Sequence, residues 1–502
     1  MYDAVFITDQ EDVLDVSMIT LGPYKCAHEL RKLGYKCLVV TNTSAFTQED
    51  FKELFFYAIG PNTKFVGFST TFLWISNDGV LNGDKTREEQ VVSEIKKRNK
   101  DTKIVIGGAK AHKEFANTNV DFVVVGYGET SAVNIMNHLD NNQQLTDSFV
   151  NKYGITIVDN QHSETYKFVS DVMHWLPEDI VNYTTLPIEM ARGCIFKCKF
   201  CFHRDIGKKK LEYVKQYDAL KQELLQVYND FGITHYLITD DTFNDDVSKL
   251  EQIRRVTDTL PEQLKCWSYM RVDLLGRFPE MVTILKDIGV RATIFGIESM
   301  HPKASALIGK GGSRQKIIDT LHMLKSDFPE LSTHSGFIAG LPYEPISSLE
   351  RTHNDLMSGK IQLDSWNWIA FGIQKPGLYQ SDSYFNLNYE KYGYENQGYV
   401  YWDRITDNQV PNNILVNWKN QEWDFEQCWK WASEADKKAI ESGKYYLDGL
   451  FALGAHTFPS PSLDFDSLRR KLISEVDFPL IKRAKEQFIN DYKTKLFKLI
   501  QT

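Results

Sequence analysis

Short, nearly unbroken apolar runs, each followed by a helical pattern, recur along most of this 502-residue chain. A strand that is apolar at every position has to be covered on both faces, as strands are in parallel sheets flanked by helices. The first series of runs covers residues 4–8, 36–41, 65–71, 103–108 and 122–125. Helical patterns lie between them: one stops at Gly34, one spans 49–58 and one spans 87–98. This predicts an α/β unit of the doubly wound, Rossmann-like kind over 1–144. Residues 145–182 read as a connecting segment with room for a two-stranded ribbon around 154–158. A second series then occupies 183–375, with runs at 186–190, 235–241, 265–271, 292–299, 335–342 and 366–371. Six such units predict a partial (β/α)6 barrel whose chemistry gathers at the carboxyl ends of the strands. Residues 376–502 form a mainly helical, aromatic-rich region. Helices are expected near 428–442 and 478–500, and Trp402, Trp418, Trp423, Trp429 and Trp431 read as a packed cap rather than a ligand cage.

Directly after the run at 186–190 stand Cys194, Cys198 and Cys201, a C-x3-C-x2-C spacing opened by Arg192 and Gly193. A loop this short lets three thiolates converge on one metal centre, and thiolate is the ligand that iron–sulfur clusters use. A four-iron cubane has four corners, so three cysteines leave one iron open to an exogenous ligand. An enzyme needs that open corner; an electron carrier avoids it. Two other readings compete. Free cysteine also packs as a small hydrophobe, but three in eight residues beside a basic stretch argue against ordinary core thiols. Structural zinc with His203 as the fourth ligand of a Cys3His set lacks the usual second pair of ligands. Cys26, Cys37, Cys266 and Cys428 stand singly among apolar or aromatic neighbours and read as reduced core thiols, with no disulfide framework.

The cysteine loop, including Phe200 before its last cysteine, resembles the cluster-binding loop of the radical S-adenosylmethionine (SAM) enzymes. The resemblance implies a 4Fe-4S cluster on Cys194, Cys198 and Cys201. Its open iron would be chelated by SAM, which is then cleaved to a 5′-deoxyadenosyl radical. Further strand ends match the family. Asp240-Asp241-Thr242-Phe243 resembles the segment closing the second barrel strand, with a helix N-cap as the plainer reading. Arg271 closes the third strand, where a guanidinium could pair with the SAM carboxylate or make a salt bridge between domains. Glu298, in Gly296-Ile297-Glu298-Ser299, would face the barrel mouth, and Gly340-Leu341-Pro342 resembles the wall near the adenine. The resemblance thus implies SAM contacts at Phe200, His203, Asp241, Arg271, Glu298 and Gly340. Lys310, in a glycine-rich loop, is an anion contact or simply solvated.

The first unit resembles the cobalamin-binding domain fused ahead of many radical SAM enzymes, on Gly107-Gly108 after the fourth strand and Gly126-Tyr127-Gly128-Glu129 after the fifth. The implied corrin contacts are Ser69, Thr70, Thr71, Gly107, Gly108, Gly126, Gly128 and Glu129. Glycine at a strand end lets a flat ligand approach the backbone, and it is also how βα turns are made. No Asp-x-His motif is present to supply a histidine to cobalt.

A net charge of −9 argues against a sequence-independent grip on nucleic acid, and Lys208-Lys209-Lys210 reads as a solvated helix start. With 42% apolar and 25% charged residues, no bilayer-length apolar run and no leader pattern at Met1, the expectation is a cytoplasmic globular protein without a membrane partner. The expected function is radical SAM chemistry with cobalamin-dependent C-methylation of an unactivated carbon. The substrate would be a small molecule or peptide, and the electron donor a protein such as flavodoxin or ferredoxin. An enzyme whose first domain is empty and structural, and a zinc- or cluster-binding protein without turnover, are the alternatives.

Overall fold

The structure, a computed structural model, describes residues 1–9, 18–71, 85–116, 119–160, 167–201, 208, 211–376, 383–401 and 414–502; of 85–88 and 401 it describes the backbone alone. The first unit contains β1 (Ala4–Ile7), α1 (Leu21–Lys32), β2 (Cys37–Val40), α2 (Gln48–Ala58), β3 (Phe65–Ser69), α3 (Lys85–Arg98), β4 (Lys103–Gly107), β5 (Phe122–Gly126), α4 (Gly128–Asn141), β6 (Ser148–Val150) and β7 (Thr156–Asn160). Helix starts and stops follow local chemistry. Thr47 and Asp50 form a reciprocal capping box on α2, and Gly34, at φ +91°, takes the left-handed turn beyond α1.

The strands form one sheet in the order β2-β1-β3-β4-β5-β7-β6, parallel except for β6. An order of 2-1-3-4-5 is doubly wound, with its topological switch between β1 and β3. The ribbon expected around 154–158 is part of this sheet: β7 pairs in parallel with β5, Phe122 opposite Thr156. The first sheet therefore ends at Asn160, beyond the expected 144.

The second unit contains β8 (Thr185–Ile188), α5 (Tyr217–Phe231), β9 (His235–Ile238), α6 (Val247–Thr257), β10 (Lys265–Met270), α7 (Val272–Arg277), α8 (Glu280–Ile288), β11 (Val290–Glu298), α9 (Pro302–Ile308), α10 (Arg314–Asp327), β12 (Ser332–Ala339), α11 (Ile346–Met357) and β13 (Ser365–Ala370). Its six strands pair in parallel in chain order, with β8 and β13 at the two edges, as a partial (β/α)6 barrel requires. Along β10–β13 exposure alternates. Tyr269 and Ile369 are 45% and 46% exposed on strands whose neighbouring residues are buried, and Ile294, Gly296, Ile338 and Asn367 are half-buried. One face of the sheet is therefore packed by helices and the other is accessible.

The last unit contains β14 (Glu395–Tyr401), β15 (Ile414–Lys419), α12 (Phe425–Glu441), α13 (Gly449–Ala455), α14 (Phe465–Leu468) and α15 (Phe478–Gln501). The antiparallel β14–β15 hairpin lies against the chain leaving β13, where Val416 N donates to Ile373 O at 2.8 Å. Trp418 is fully buried, stacks edge-on with Tyr394 and donates to Phe371 O at 2.7 Å. Together with buried Trp423 it belongs to a packed cap; Trp402 lies outside the described residues.

Candidate functional site

The cysteine loop leaves β8 and is fixed by a buried charge network at the end of β9. Asp240 accepts from the N–H groups of Met190 (2.8 Å) and Ala191 (2.9 Å), and its other oxygen lies 3.0 Å from Lys249 Nζ. Lys249 also meets Asp245 at 3.2 Å and donates to Thr242 O at 3.0 Å. Buried charges are stable only when paired and hydrogen-bonded, and this set meets that condition. Burial pushes the Asp240 carboxyl up, against the opposing pull of Lys249. Lys208 N donates to Cys194 O and Cys201 N to Cys198 O, both at 3.1 Å, which closes the loop on itself. The buried Cys194 thiol donates to Thr242 Oγ1 at 3.5 Å.

Cys198 faces the carboxyl end of β10. Arg271 Nη1 lies 3.7 Å from Cys198 Sγ and 3.3 Å from Gly309 O. The rest of the guanidinium is committed as well. Nε and Nη2 bind Asp273 in a fork at 3.0 and 2.9 Å, and the plane covers the Phe196 ring at 4.0 Å. Asn244 holds the Arg271 backbone from both sides, accepting from its N–H (2.8 Å) and donating to its carbonyl (2.9 Å). Arg271 is thus a brace for the cysteine loop. Among the described residues its carboxylate partner is Asp273 of the same domain, not a residue of the first domain.

Glu298 ends β11 at φ +63°, a strained value for glutamate, where the pairing with β12 shifts register. Its carboxylate lies 3.6 Å from Lys310 Nζ, which also stands over the Phe200 ring at 5.5 Å. Burial pushes the Glu298 carboxyl up, with Lys310 opposing. Lys310 is therefore turned inward rather than solvated. The glycines beside it allow close packing: a Cβ on Gly309 would sit 3.2 Å from Cys198 Cα, and one on Gly311 would sit 2.5 Å from Asp273 Oδ2. Asp241 lies next to Thr242, whose hydroxyl donates to Asp241 O at 2.8 Å. His203 lies outside the described residues. Gly340, at φ +90°, faces the cap: a Cβ there would meet Trp418 at 2.8 Å and Cys428 Sγ at 2.9 Å. The side of Gly340 that a Cβ would occupy is thus packed by the cap.

Among the described residues, the trio of His, Cys, Asp or Glu whose ligand atoms all lie within 4.8 Å of one another is His28, Glu29 and Asp171. Lys32 already supplies a cation there, at 2.7 Å from Glu29 and 3.1 Å from Asp171. The three loop cysteines are not such a trio, and His203, the fourth ligand of the zinc alternative, lies outside the described residues. Three thiols on one braced loop, with a guanidinium at Cys198, fit a larger anionic cluster.

Residues 188–356 match the model of the Radical SAM superfamily. The cysteine loop and the strands from β9 to β12 lie within that stretch. Over 186 residues, 35% of its length, the chain is 28% identical to an uncharacterised methyltransferase of Pyrococcus horikoshii, and the match covers 38% of that protein. Over 273 residues it is 23% identical to the anaerobic magnesium-protoporphyrin IX monomethyl ester cyclase of Cereibacter sphaeroides, covering 50% of the chain and 43% of the cyclase. These matches span less than half of either relative. Among solved structures, the radical SAM methyltransferase TsrM of Kitasatospora setae, with tryptophan and a SAM analogue bound, superposes with a TM-score of 0.66 at 14% identity, over 94% of this chain and 99% of that one. The cobalamin-dependent radical SAM enzyme OxsB gives 0.54 at 16% identity, over 78% of this chain and 56% of that one. At these identities the likeness is one of fold, and it reaches across both sheets.

The strand ends of the first sheet are only partly open. Gly107 is half-buried, and a Cβ there would make ordinary contact with Val124 alone, at 3.7 Å. Gly126, at φ +110°, is also half-buried. Gly108, at φ +96°, faces the backbone of Thr70 and Thr71, where a Cβ would come within 2.8 Å of Thr70 N. The Thr70 hydroxyl accepts from Lys110 N at 2.9 Å and the Thr71 hydroxyl from Ala109 N at 3.3 Å, so both stitch this turn; Ser69 is buried. Gly128 faces α1, 2.7 Å from Cys26 Sγ once a Cβ is added. Glu129 is buried and pairs with Arg192 Nη2 at 2.6 Å, a contact to the cysteine loop.

Sequence reasoning passed over Asn244 and Lys249, and read Asp240 and Thr242 only as part of a family-like segment or a helix cap. The dense run Asp240-Asp241-Thr242-Phe243-Asn244-Asp245 was the available signal, because five polar side chains directly after a strand need partners. The helix cap expected in this run is Asp246, which accepts from Ser248 and Lys249 N–H at the start of α6.

Proposed function

We propose that this protein binds a 4Fe-4S cluster at Cys194, Cys198 and Cys201, binds SAM at the barrel mouth and carries out cobalamin-dependent C-methylation. The observation that carries the reading is the cysteine loop held on Asp240 and Arg271 at the mouth of a six-stranded parallel sheet. The residues present fit these groups: three thiols for iron, the Glu298–Lys310 pair beside Phe200 for a zwitterionic ligand, and the half-open Gly107 and Gly126 edge for a flat one. When bound, cluster and SAM supply a hydrogen-abstracting radical and cobalamin supplies methyl-group carriage. The chain orients and shields. Asp240 and Arg271 fix the loop, Glu298 can accept from hydroxyl or ammonium groups, and Leu237, Tyr269, Ile294, Ile338 and Ile369 give the accessible face an apolar lining that excludes water from a small or peptide substrate. The cellular setting we infer is cytoplasmic, with a flavodoxin- or ferredoxin-like reductant.

A second reading, an empty first domain that braces the barrel, is favoured by Thr70, Gly108, Gly128 and Glu129, all of which are engaged within the protein. Anaerobic reconstitution decides. The first reading expects iron, deoxyadenosine from SAM and retained corrinoid; deoxyadenosine without corrinoid selects the brace. Cys201→Ala should abolish chromophore and deoxyadenosine together, and normal deoxyadenosine formation by that variant would overturn the ligand assignment.

A further inference from the structure

Arg192 stands two residues before Cys194, yet its side chain belongs as much to the first domain as to the barrel. Nη2 donates to Glu129 Oε1 at 2.6 Å, and Nε and Nη2 hold Glu189 at 2.7 and 2.8 Å. Its plane lies 4.5 Å over the Tyr127 ring and 4.9 Å from the Phe168 ring of the connecting segment. Glu189 is also paired with Lys25 of α1, and that ammonium lies 5.0 Å from Phe168. Tyr127 caps the turn between β5 and α4, and Glu129 lies in the first turn of α4. One guanidinium therefore joins the cluster loop to the glycine-bearing edge of the first sheet. Both its carboxylate partners and its own side chain are mostly buried, where charge-assisted pairs are strongest and loss of one partner is most disruptive.

We propose that Arg192 is a positioning residue that couples the cluster loop to the 126–131 edge of the first domain, so that assembling the centre on one side orders the other. The inference rests on the radical SAM reading for its trigger, the cluster, and is independent of whether corrinoid binds. Coupling of this kind is reciprocal: what the cluster does to the edge, a ligand on the edge does to the cluster loop. Lysine cannot replace the arginine fully, since an ammonium has no rigid fork with which to hold two carboxylates while lying flat on two rings.

The test is hydrogen exchange on the full-length protein, with and without anaerobically assembled cluster. In the wild type, assembly should slow exchange at residues 194–201 and also at 126–131, the second by about fivefold or more. In Arg192→Met the slowing at 194–201 should persist and that at 126–131 should vanish, with Arg192→Lys intermediate. Glu129→Gln leaves the Arg192–Glu189 fork in place and should also lose the distant response, which keeps the test available if Arg192→Met fails to fold. Equal slowing at 126–131 in wild type and either variant overturns the coupling. A wild type that takes up no iron overturns the radical SAM reading instead.

Discussion

At the residue scale, the structure separates two side chains that the sequence placed in one class. Arg271 and Glu298 both close barrel strands, but Arg271 is consumed by Asp273, Gly309 and Cys198, while among the described residues Glu298 pairs with Lys310 at 3.6 Å. Arg271→Met should therefore lower iron content per chain. Glu298→Gln should keep its iron and weaken SAM binding about ten- to hundredfold, the effect of losing one charge-assisted contact. Iron assay and SAM titration on the two variants check the split; full iron in Arg271→Met would refute the brace. Glu344, three residues past Leu341, gives a pH prediction. It is buried, accepts from Ser299 Oγ (2.7 Å) and Ser348 Oγ (3.1 Å), and burial pushes its carboxyl up to about 7. The folded state thus holds this proton more tightly than the unfolded chain. The resulting stability is present below about pH 4.5 and is lost as pH rises through 7, on the order of 3 kcal/mol in all. Glu344→Gln removes the ionisation, so its stability relative to wild type should rise between pH 5 and pH 8. Urea unfolding at the two values measures it, and a pH-independent difference would show that Glu344 does not titrate in this range.

At the element scale, strand runs and helix stops were legible because each has a local cause. The apolar runs of β1–β5 need two covered faces, those of β8–β13 line a barrel with one packed and one accessible face, and glycines such as Gly34 must take left-handed turns. What stayed hidden depends on contacts between distant segments. β7 joins the first sheet only by pairing with β5, and the Trp418 ring beside Gly340 comes from the distant cap. The cysteine ligands could be proposed from spacing, but not the assignment of Arg271, Glu129, Gly108 or Gly128 to packing and pairing inside the protein. The helix α13 is the clearest case of a hidden element. It follows Asp448, which accepts from Leu450 N–H at 2.8 Å, and it packs under β9–β12 with Gly449 against the barrel. A Cβ on Gly449 would fall 2.2 Å from Ala292 Cβ and 3.5 Å from Trp267. Gly449→Val overpacks this base and should cost about 1–3 kcal/mol, read as a lower thermal midpoint. An unchanged midpoint would mean that α13 moves without cost.

At the scale of the whole molecule, the two sheets are tied together on both sides. One tie is the Arg192 clamp; the other is α15. This helix buries Ile481, Ala484, Phe488, Tyr492, Leu496 and Ile500, a stripe at helical spacing. Phe488 meets Tyr183 edge-on at 5.2 Å and Phe458 at 5.9 Å, so it packs on the connecting segment and the cap together. Tyr492 accepts from Thr41 N at 3.0 Å, at the carboxyl end of β2, and Lys493 pairs with Asp50 of α2 at 2.7 Å. The last helix of the chain thus holds the first sheet against the segment that leads into the barrel. The two contacts differ in kind and predict different losses. Phe488→Ala removes a packed ring shared by three segments and should cost about 3–5 kcal/mol. Tyr492→Phe keeps the ring but leaves the buried Thr41 N–H without its acceptor, at about 1–3 kcal/mol. Thermal unfolding ranks the two, and limited proteolysis between residues 145 and 182 should accelerate in Phe488→Ala more than in Tyr492→Phe. If Phe488→Ala melts with the wild type and is cut no faster, α15 carries no tie between the sheets, and the Arg192 clamp with the pairs around it must hold them alone.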